Sequence, residues 1–178
     1  KWMAPNLPLR WEMVVNWELG MQPHQPSLQR INKSGELKMT LRPQPRFPEP
    51  DTEPFWEATK ERNLVYQTCD NPDCTDKVIF YPRAHCDTCG GLKTSWNTSQ
   101  GEGVVYTYSV VMQSRHPAFK DLGPYAVAYV DLDEGFRMMT NVINVDNPIS
   151  DIQIGMRVKL VWQEQGEGEI ALPMFEPA

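Results

Sequence analysis

The four cysteines of this 178-residue chain all fall between positions 69 and 89. They form the pattern Cys69-x4-Cys74-x11-Cys86-x2-Cys89, in which two close pairs are joined by a short segment. Because Zn²⁺ accepts four thiolates at the corners of a tetrahedron, about 2.3 Å from the metal, this spacing predicts a zinc ribbon. Four protein ligands leave no open coordination position, so we expect a structural ion without a catalytic role.

Disulfides and iron centres are the alternatives to zinc for four cysteines. Two disulfides suit small secreted domains, but we find no apolar signal-peptide core near the start of the chain. A mononuclear iron centre or an iron–sulfur cluster also takes four thiolates. The segment Cys86-Asp87-Thr88-Cys89-Gly90-Gly91 ends in glycines that permit a tight turn with N–H groups facing sulfur. This favours zinc, and a metal assay separates the alternatives.

Composition and charge narrow the class of protein. The hydrophobic content of 40% and the aromatic content of 10% are ordinary for a soluble protein. The longest apolar stretches fall short of the roughly 20 residues that span a bilayer, so we expect no membrane segment. Because we expect reduced cysteines that bind metal, we also expect a cytoplasmic location. Residues 96–178 are acidic within a chain of net charge −6. Nucleic-acid binding depends on Lys and Arg that neutralise phosphates, so we expect no nucleic-acid partner.

The sequence divides into three parts. Residues 1–50 form a proline-rich arm, in which the spacing of apolar residues between Trp11 and Leu19 predicts a short helix. Residues 51–95 hold a docking helix and the zinc ribbon, and residues 96–178 form a β-barrel. The arm contains three tryptophans, which either form a docking surface or fold back onto the core of the chain. They are Trp2, Trp11 and Trp17.

The docking helix has the clearest boundaries. Asp51 or Thr52 can cap its start, Pro54 suits its first turn, and we expect it to end near Arg62. One side carries an aromatic stripe that we expect either a partner or the neighbouring barrel to cover. The stripe comprises Phe55, Trp56 and Thr59.

The rest of the chain has β-patterning. Three predicted strands bracket the cysteine pairs: Leu64–Thr68, Val78–Tyr81 and Leu92–Trp96. Five more follow: Gly103–Gln113, Tyr125–Leu132, Phe136–Val142, Met156–Trp162 and Glu169–Phe175. Asp133-Glu134-Gly135 predicts a hairpin turn between the second and third of these. Five short strands over about 80 residues suit a barrel of the OB type, so the fold class is mainly β.

This order resembles a known family of OB-fold proteins with an N-terminal rubredoxin-like zinc ribbon, long labelled only as a domain of unknown function. The resemblance covers roughly residues 52–176. It rests on the four cysteines and on the segments Pro54–Glu57, Tyr81–Arg83, Gly101–Tyr108, Pro124–Gly135 and Ile154–Val158. The departures are the four residues between Cys69 and Cys74, where two are commoner, and the arm of residues 1–50.

The resemblance implies an accessory subunit in a hetero-oligomer. Members associate with thiolase-superfamily enzymes or with lipid-transfer-type aldolases that act on CoA thioesters. Their ribbon and helix dock on the catalytic partner, while the barrel helps to complete the access channel for the thioester. Our first hypothesis is therefore a non-catalytic accessory subunit that supports a thiolase-superfamily enzyme acting on an acyl-CoA, with an aldolase as the alternative partner. The sequence does not name the acyl chain or the stoichiometry. A nucleic-acid-binding zinc-ribbon protein is a second hypothesis, and a barrel that transfers acyl groups by itself is a third.

The titratable residues give little support to catalysis by the chain alone. A thiolase-like enzyme needs a reactive cysteine with a histidine partner, and every cysteine here is assigned to the ribbon. His85 is next to a ligand, where we expect it to face solvent. Asp131, Asp133 and Glu134 could be paired acids, but we expect hairpin-turn residues because this turn favours Asp and Gly.

One loop suggests a ligand. The segment Gln113–Lys120 joins the first two barrel strands and places Arg115, His116 and Lys120 in an otherwise acidic half. Arg and Lys suit the phosphates of CoA, so we expect a CoA thioester to bind here jointly with the partner. The alternative is an ordinary solvated loop, since loops commonly carry charge.

Overall fold

The computed structural model of the chain describes seven ranges: 30–31, 37–38, 42–43, 49–74, 77–120, 122–166 and 169–178. The predicted arm helix and the three arm tryptophans lie outside these residues. Within the arm, strands β1 (Arg30–Ile31) and β2 (Leu37–Lys38) pair in antiparallel fashion. Among the residues that are described, no helix has the length and apolar character needed to cross a membrane.

Helix α1, predicted as the docking helix, runs from Glu53 to Lys60, with an acid in its first turn and a base in its last. Thr52 occupies the N-cap position, but its hydroxyl donates to the carbonyl oxygen of Glu49 at 3.2 Å. Thr52 is one of the two predicted cap residues, but it forms no side-chain cap bond. Its backbone angles are helical and not extended, and Pro54 at the second helical position has no N–H to be capped. The helix ends early because Arg62 adopts a left-handed φ of 59°.

The ribbon is a three-stranded antiparallel sheet in the order β4-β3-β5. Its strands are β3 (Val65–Cys69), β4 (Val78–Ile79) and β5 (Thr94–Thr98). A short 3-10 turn, Pro72–Cys74, contains the extra residues of the first cysteine pair. The ribbon strands start and end within two residues of their predicted bounds, and the sheet places Cys69 at the end of its central strand.

Five strands close into a barrel in the order β10-β8-β7-β6-β9, which confirms the predicted OB-type architecture. They are β6 (Glu102–Val111), β7 (Tyr125–Leu132), β8 (Arg137–Val142), β9 (Arg157–Gln163) and β10 (Leu172–Pro177). All neighbours are antiparallel except β8 and β10, which meet in parallel at Val142 and Phe175. The last strand begins three residues later than predicted, because a turn at Gly166 and the residues after it form the connection.

Successive side chains of each strand point alternately into the barrel and out of it. On β7 every second residue is buried, from Ala126 to Leu132, and its partners on β8 follow the same rule. A bulge between Val105 and Thr107 shifts the register of β6 against β7. The outer face of β7 and β8 therefore carries Tyr129 and Met139, two large side chains that are exposed.

One of the two buried clusters in the described residues connects the helix, the ribbon and the barrel, and the other surrounds the cysteines. Phe55 of α1 is buried in the same cluster as Phe175, which is fully buried in the barrel. The rings of Phe55 and Phe80 lie 5.9 Å apart, and those of Phe80 and Phe136 lie 4.5 Å apart. The chain's own ribbon and barrel therefore cover most of the aromatic stripe, while Trp56 stays half-buried at the edge.

Two of the three acids near the β7–β8 turn form ion pairs, and the third binds the residues that connect the ribbon to the barrel. Asp131 binds Arg137 with oxygen–nitrogen distances of 2.5 and 3.0 Å, and Asp133 binds Arg157 at 2.8 Å. These guanidinium groups hold the pKa of both carboxyls below the usual range. Glu134 accepts hydrogen bonds from the Ser99 hydroxyl and the Gln100 N–H. Asp133 and Glu134 lie in the turn as predicted, but the prediction is wrong for Asp131, which lies in β7 opposite Arg137. The side chains of Asp133 and Glu134 also join the hairpin to β9 and to the residues that follow β5.

Candidate functional site

The four cysteine sulfurs converge in one cluster, all within 4.8 Å of one another. The Sγ atoms of Cys69 and Cys89 are 3.6 Å apart, and those of Cys74 and Cys86 are 3.9 Å apart. Both distances exceed the roughly 2.05 Å of a disulfide bond. A tetrahedron with sulfurs about 2.3 Å from its centre has edges of about 3.8 Å, so the cluster fits Zn²⁺ in size and donor type.

Backbone N–H groups of the second pair point at sulfur, as its glycines predict. Thr88 donates to Cys86 Sγ, and Gly91 donates to Cys89 Sγ, both at 3.4 Å. Gly90 adopts a left-handed φ of 72°, which permits this tight turn. The side-chain amide of Asn71 also donates to Cys89 Sγ at 3.4 Å, so the first pair's loop contributes to the site.

The pKa values of the four thiols are shifted in opposite directions by their surroundings. Backbone N–H groups of Cys89 and Thr88 lower the pKa of Cys86 to about 7, whereas burial raises the pKa of Cys74 to about 12. A divalent cation among the sulfurs would favour the thiolate form of all four. Cys69, Cys74, Cys86 and Cys89 would hold the ion, and it would supply rigidity because no ligand position stays open. His85 is exposed and lies outside the cluster.

A groove of about 390 Å³ lies where the helix, the ribbon and the barrel meet. Phe55 and Trp56 line it from α1, Tyr81 and Pro82 from the ribbon, and Met139 from the barrel. Tyr81 is fixed there because its hydroxyl oxygen accepts the N–H of Met139 at 3.0 Å. The groove thus occupies the outer face of β7 and β8, the face on which OB folds commonly bind ligands.

The predicted CoA loop lies at the edge of this groove. Arg115, His116 and Lys120 are exposed, while Phe119 between them points into the groove lining. His116 Nδ1 accepts the N–H of Ala118 at 3.2 Å, so one ring nitrogen helps to shape the loop. Phe119 thus connects this loop to the groove, and His116 packs on it with ring centroids 5.5 Å apart.

Sequence reasoning did not find the groove itself. Its lining comes from segments far apart in the chain, and no periodicity links Trp56 to Met139. One signal was present at Met138-Met139, because two adjacent apolar residues in a strand must face opposite sides. Met138 is buried in the barrel and Met139 is 52% exposed, which marks an apolar patch on the outer face.

The fold and the metal cluster define a zinc-ribbon protein with an OB barrel, and comparisons with known proteins refine this class. Residues 56–95 match the family model of the ChsH2 rubredoxin-like zinc ribbon domain, and residues 96–163 match that of the ChsH2 C-terminal OB-fold domain. A DUF35 domain-containing scaffold protein from Methanocaldococcus jannaschii is 37% identical over 114 residues, which is 61% of this chain and 74% of the relative. The chain belongs to the DUF35 family of zinc-ribbon and OB-fold proteins.

Two further relatives carry names from CoA metabolism or aldol chemistry. A Thermomonospora curvata protein named "Probable enoyl-CoA hydratase alpha subunit" is 39% identical over 153 residues, which is 84% of this chain. The chain spans only 44% of that relative. The solved structure of an Ltp2-ChsH2(DUF35) aldolase is similar with a TM-score of 0.66 and 37% identity, over 75% of this chain and 98% of that one.

A DUF35 structure from Sulfolobus solfataricus shares the fold with a TM-score of 0.52 at 13% identity, over 75% of this chain and 89% of that one. The predicted family is confirmed by these matches. The zinc ribbon model and the four converging cysteines together support a structural zinc ion.

Proposed function

We propose that this chain is a non-catalytic accessory subunit that docks on an enzyme of CoA-thioester metabolism, and that this enzyme is an aldolase. The similarity to nearly the whole DUF35 chain of the Ltp2-ChsH2 aldolase carries the proposal. The hydratase-subunit relative supports a CoA-thioester context. A thiolase-superfamily partner is the alternative that the sequence analysis favoured, and both enzymes use the same docking surface in this proposal.

The surface proposed for docking surrounds the groove. Tyr81 and Met139 are 47% and 52% exposed, and Trp56 lies half-buried beside them. Aromatic and methionine side chains are enriched at protein interfaces, where a few of them supply most of the binding energy. The convergence of all four cysteines in the ribbon supports a non-catalytic role, because it leaves none of them to act as a nucleophile.

Met139→Glu is expected to prevent docking without unfolding the barrel. The side chain faces outward, so a carboxylate there would be solvated in the free chain but buried without a partner in the complex. We expect at least a tenfold loss of affinity for the catalytic subunit, equivalent to about 1.4 kcal/mol. The measurement is co-purification and titration with a candidate aldolase and a candidate thiolase, together with the turnover of CoA thioester by each.

Ile154→Glu is the matched control, because Ile154 is 70% exposed and is not part of the groove lining. It should bind the partner as the wild-type chain does. Equal binding by both variants would remove the groove from the interface. A wild-type chain that neither binds nor activates an aldolase or a thiolase would refute the proposed function, and activation of only one of them identifies the partner.

Replacing Arg115 and Lys120 together by alanine tests the proposed contact with CoA. A charge-assisted hydrogen bond to phosphate is worth about 1.5–3 kcal/mol, so the assembled complex should show a KM for the thioester raised about tenfold or more, with kcat little changed. Lys93→Ala is the control, since Lys93 is an exposed ribbon residue. An unchanged KM in the double variant would contradict the CoA assignment and leave the docking proposal intact.

A further inference from the structure

Arg42, at the end of the arm, contacts three separate segments of the barrel. Its backbone N–H donates to Gln165 Oε1 at 2.9 Å, in the connection between β9 and β10. Its guanidinium Nη1 donates to Asn141 Oδ1 on β8 at 2.6 Å. The guanidinium carbon lies 5.0 Å from the ring centroid of Phe119, in the loop between β6 and β7. A single residue thus bridges parts of the chain more than 40 positions apart.

The amide partners of Arg42 are already oriented by the barrel. Gln165 is 3% exposed, and its Nε2 donates to the carbonyl oxygens of Gln163 and Glu164. Asn141 donates its Nδ2 to the carbonyl oxygen of Ala126 at 2.6 Å. These bonds leave both amide oxygens facing Arg42, so the acceptors exist independently of the arm.

The third partner, Phe119, lies in the loop between β6 and β7. Phe119 packs on Tyr125 with ring centroids 5.6 Å apart and on His116 at 5.5 Å. Phe119, Tyr125 and Asn141 all line the groove. The two connections that flank this face are the loops with which OB folds commonly hold ligands. Arg42 contacts the β6–β7 loop at Phe119 and the β9–β10 connection at Gln165, so it links the two.

We propose that Arg42 is a positioning residue that latches the β6–β7 loop to the β9–β10 connection and so fixes the Phe119 wall of the groove. A guanidinium over an aromatic face and a charge-assisted hydrogen bond are each strong enough to order an exposed loop. A wall that is fixed before binding lowers the cost of ordering the loop when the groove is occupied. The proposal concerns the free chain and does not rest on the identity of the partner or ligand.

Hydrogen exchange of the free, full-length chain tests the latch. The N–H groups of Phe119, Lys120 and Leu122 are bonded within the loop, so their exchange reports on its opening. Arg42→Met keeps an unbranched apolar stem and removes the cation and its donors. We expect exchange in residues 113–124 to accelerate by about tenfold or more, with exchange in β7 unchanged. Arg42→Lys, which keeps the cation but loses the fork, should give a smaller acceleration.

Two comparisons make the test specific. Arg62→Met removes another guanidinium, one bonded to both carboxylate oxygens of Glu164 beside Gln165, and should leave the β6–β7 loop unaffected. In a Phe119→Ala background, Arg42→Met should add no further acceleration, because the coupled contact is already gone. Four results would each overturn the proposal. The loop could exchange at the wild-type rate in both Arg42 variants, or β7 could accelerate as much as the loop. The loop could accelerate as much in Arg62→Met as in Arg42→Met, or the effects of Arg42→Met and Phe119→Ala on the loop could add. If Arg42→Met fails to fold, Arg42→Lys decides the outcome.

Discussion

Cys86→Ser is expected to abolish stoichiometric zinc binding and to unfold the ribbon. Cys86 is fully buried, and its sulfur lies 3.9 Å from that of Cys74 at the centre of the cluster. The binding free energy of structural zinc, about 10–16 kcal/mol in zinc-finger peptides, is also free energy of folding. Loss of one thiolate of four should therefore remove both the metal and the order of the ribbon. Elemental analysis and thermal unfolding measure the two effects.

The matched control is His85→Ala, the exposed neighbour of Cys86. We expect it to retain one zinc per chain and an unchanged Tm. Because the ribbon supplies Tyr81 to the groove, Cys86→Ser should also lose binding to the partner enzyme. A Cys86→Ser chain that still assembles with its partner would show that the ribbon is not needed for docking.

Gly101→Ala is expected to destabilise the chain by about 2–5 kcal/mol. Gly101 adopts a left-handed φ of 75°, which costs a residue with a Cβ roughly 1–2 kcal/mol. That Cβ would also lie 2.5 Å from the Cβ of Leu160 on β9. Relief of this overlap requires β9 to move away from β6, at a further cost of about 1–3 kcal/mol. Chemical denaturation monitored by tryptophan fluorescence measures the change in the free energy of unfolding.

Gly123→Ala separates the two contributions to this cost. Gly123 has a similar φ of 68°, but no atom lies within 4 Å of the position of its Cβ. It should lose only the conformational part, about 1–2 kcal/mol. Equal destabilisation by the two variants would show that Leu160 accommodates the added methyl group.

Local patterns were enough to predict the ribbon and most of the barrel. The spacing of the cysteines, with the Gly90-Gly91 turn, predicts the metal site because all of its determinants lie within one short segment. Period-two alternation gives β7 correctly at both ends, since its inner and outer residues face different environments. The end of the barrel was less predictable. A strand was predicted there, but β10 starts three residues after the predicted Glu169 and ends two after Phe175, with Pro173 and Pro177 both paired beside β9.

The groove and the Arg42 contacts depend on residues that are distant in sequence. Arg42 lies in a proline-rich segment that predicts an extended strap, and nothing in that segment indicates Asn141 or Phe119 as partners. Such tertiary contacts are decided by packing, which a pattern along the chain does not report.

The connection between ribbon and barrel has a consequence for assembly. Only residues 99–101 separate β5 from β6, and Glu134 binds both Ser99 and Gln100. A partner that contacts the ribbon and the barrel together would therefore meet two sites whose separation is fixed. Once the partner binds one site, the other site is held nearby at a high effective concentration, provided that the partner's two patches have the same separation. When the separations differ, the second site adds almost nothing to the affinity. The short connection and the buried cluster shared by ribbon and barrel thus select partners by the spacing of their binding patches.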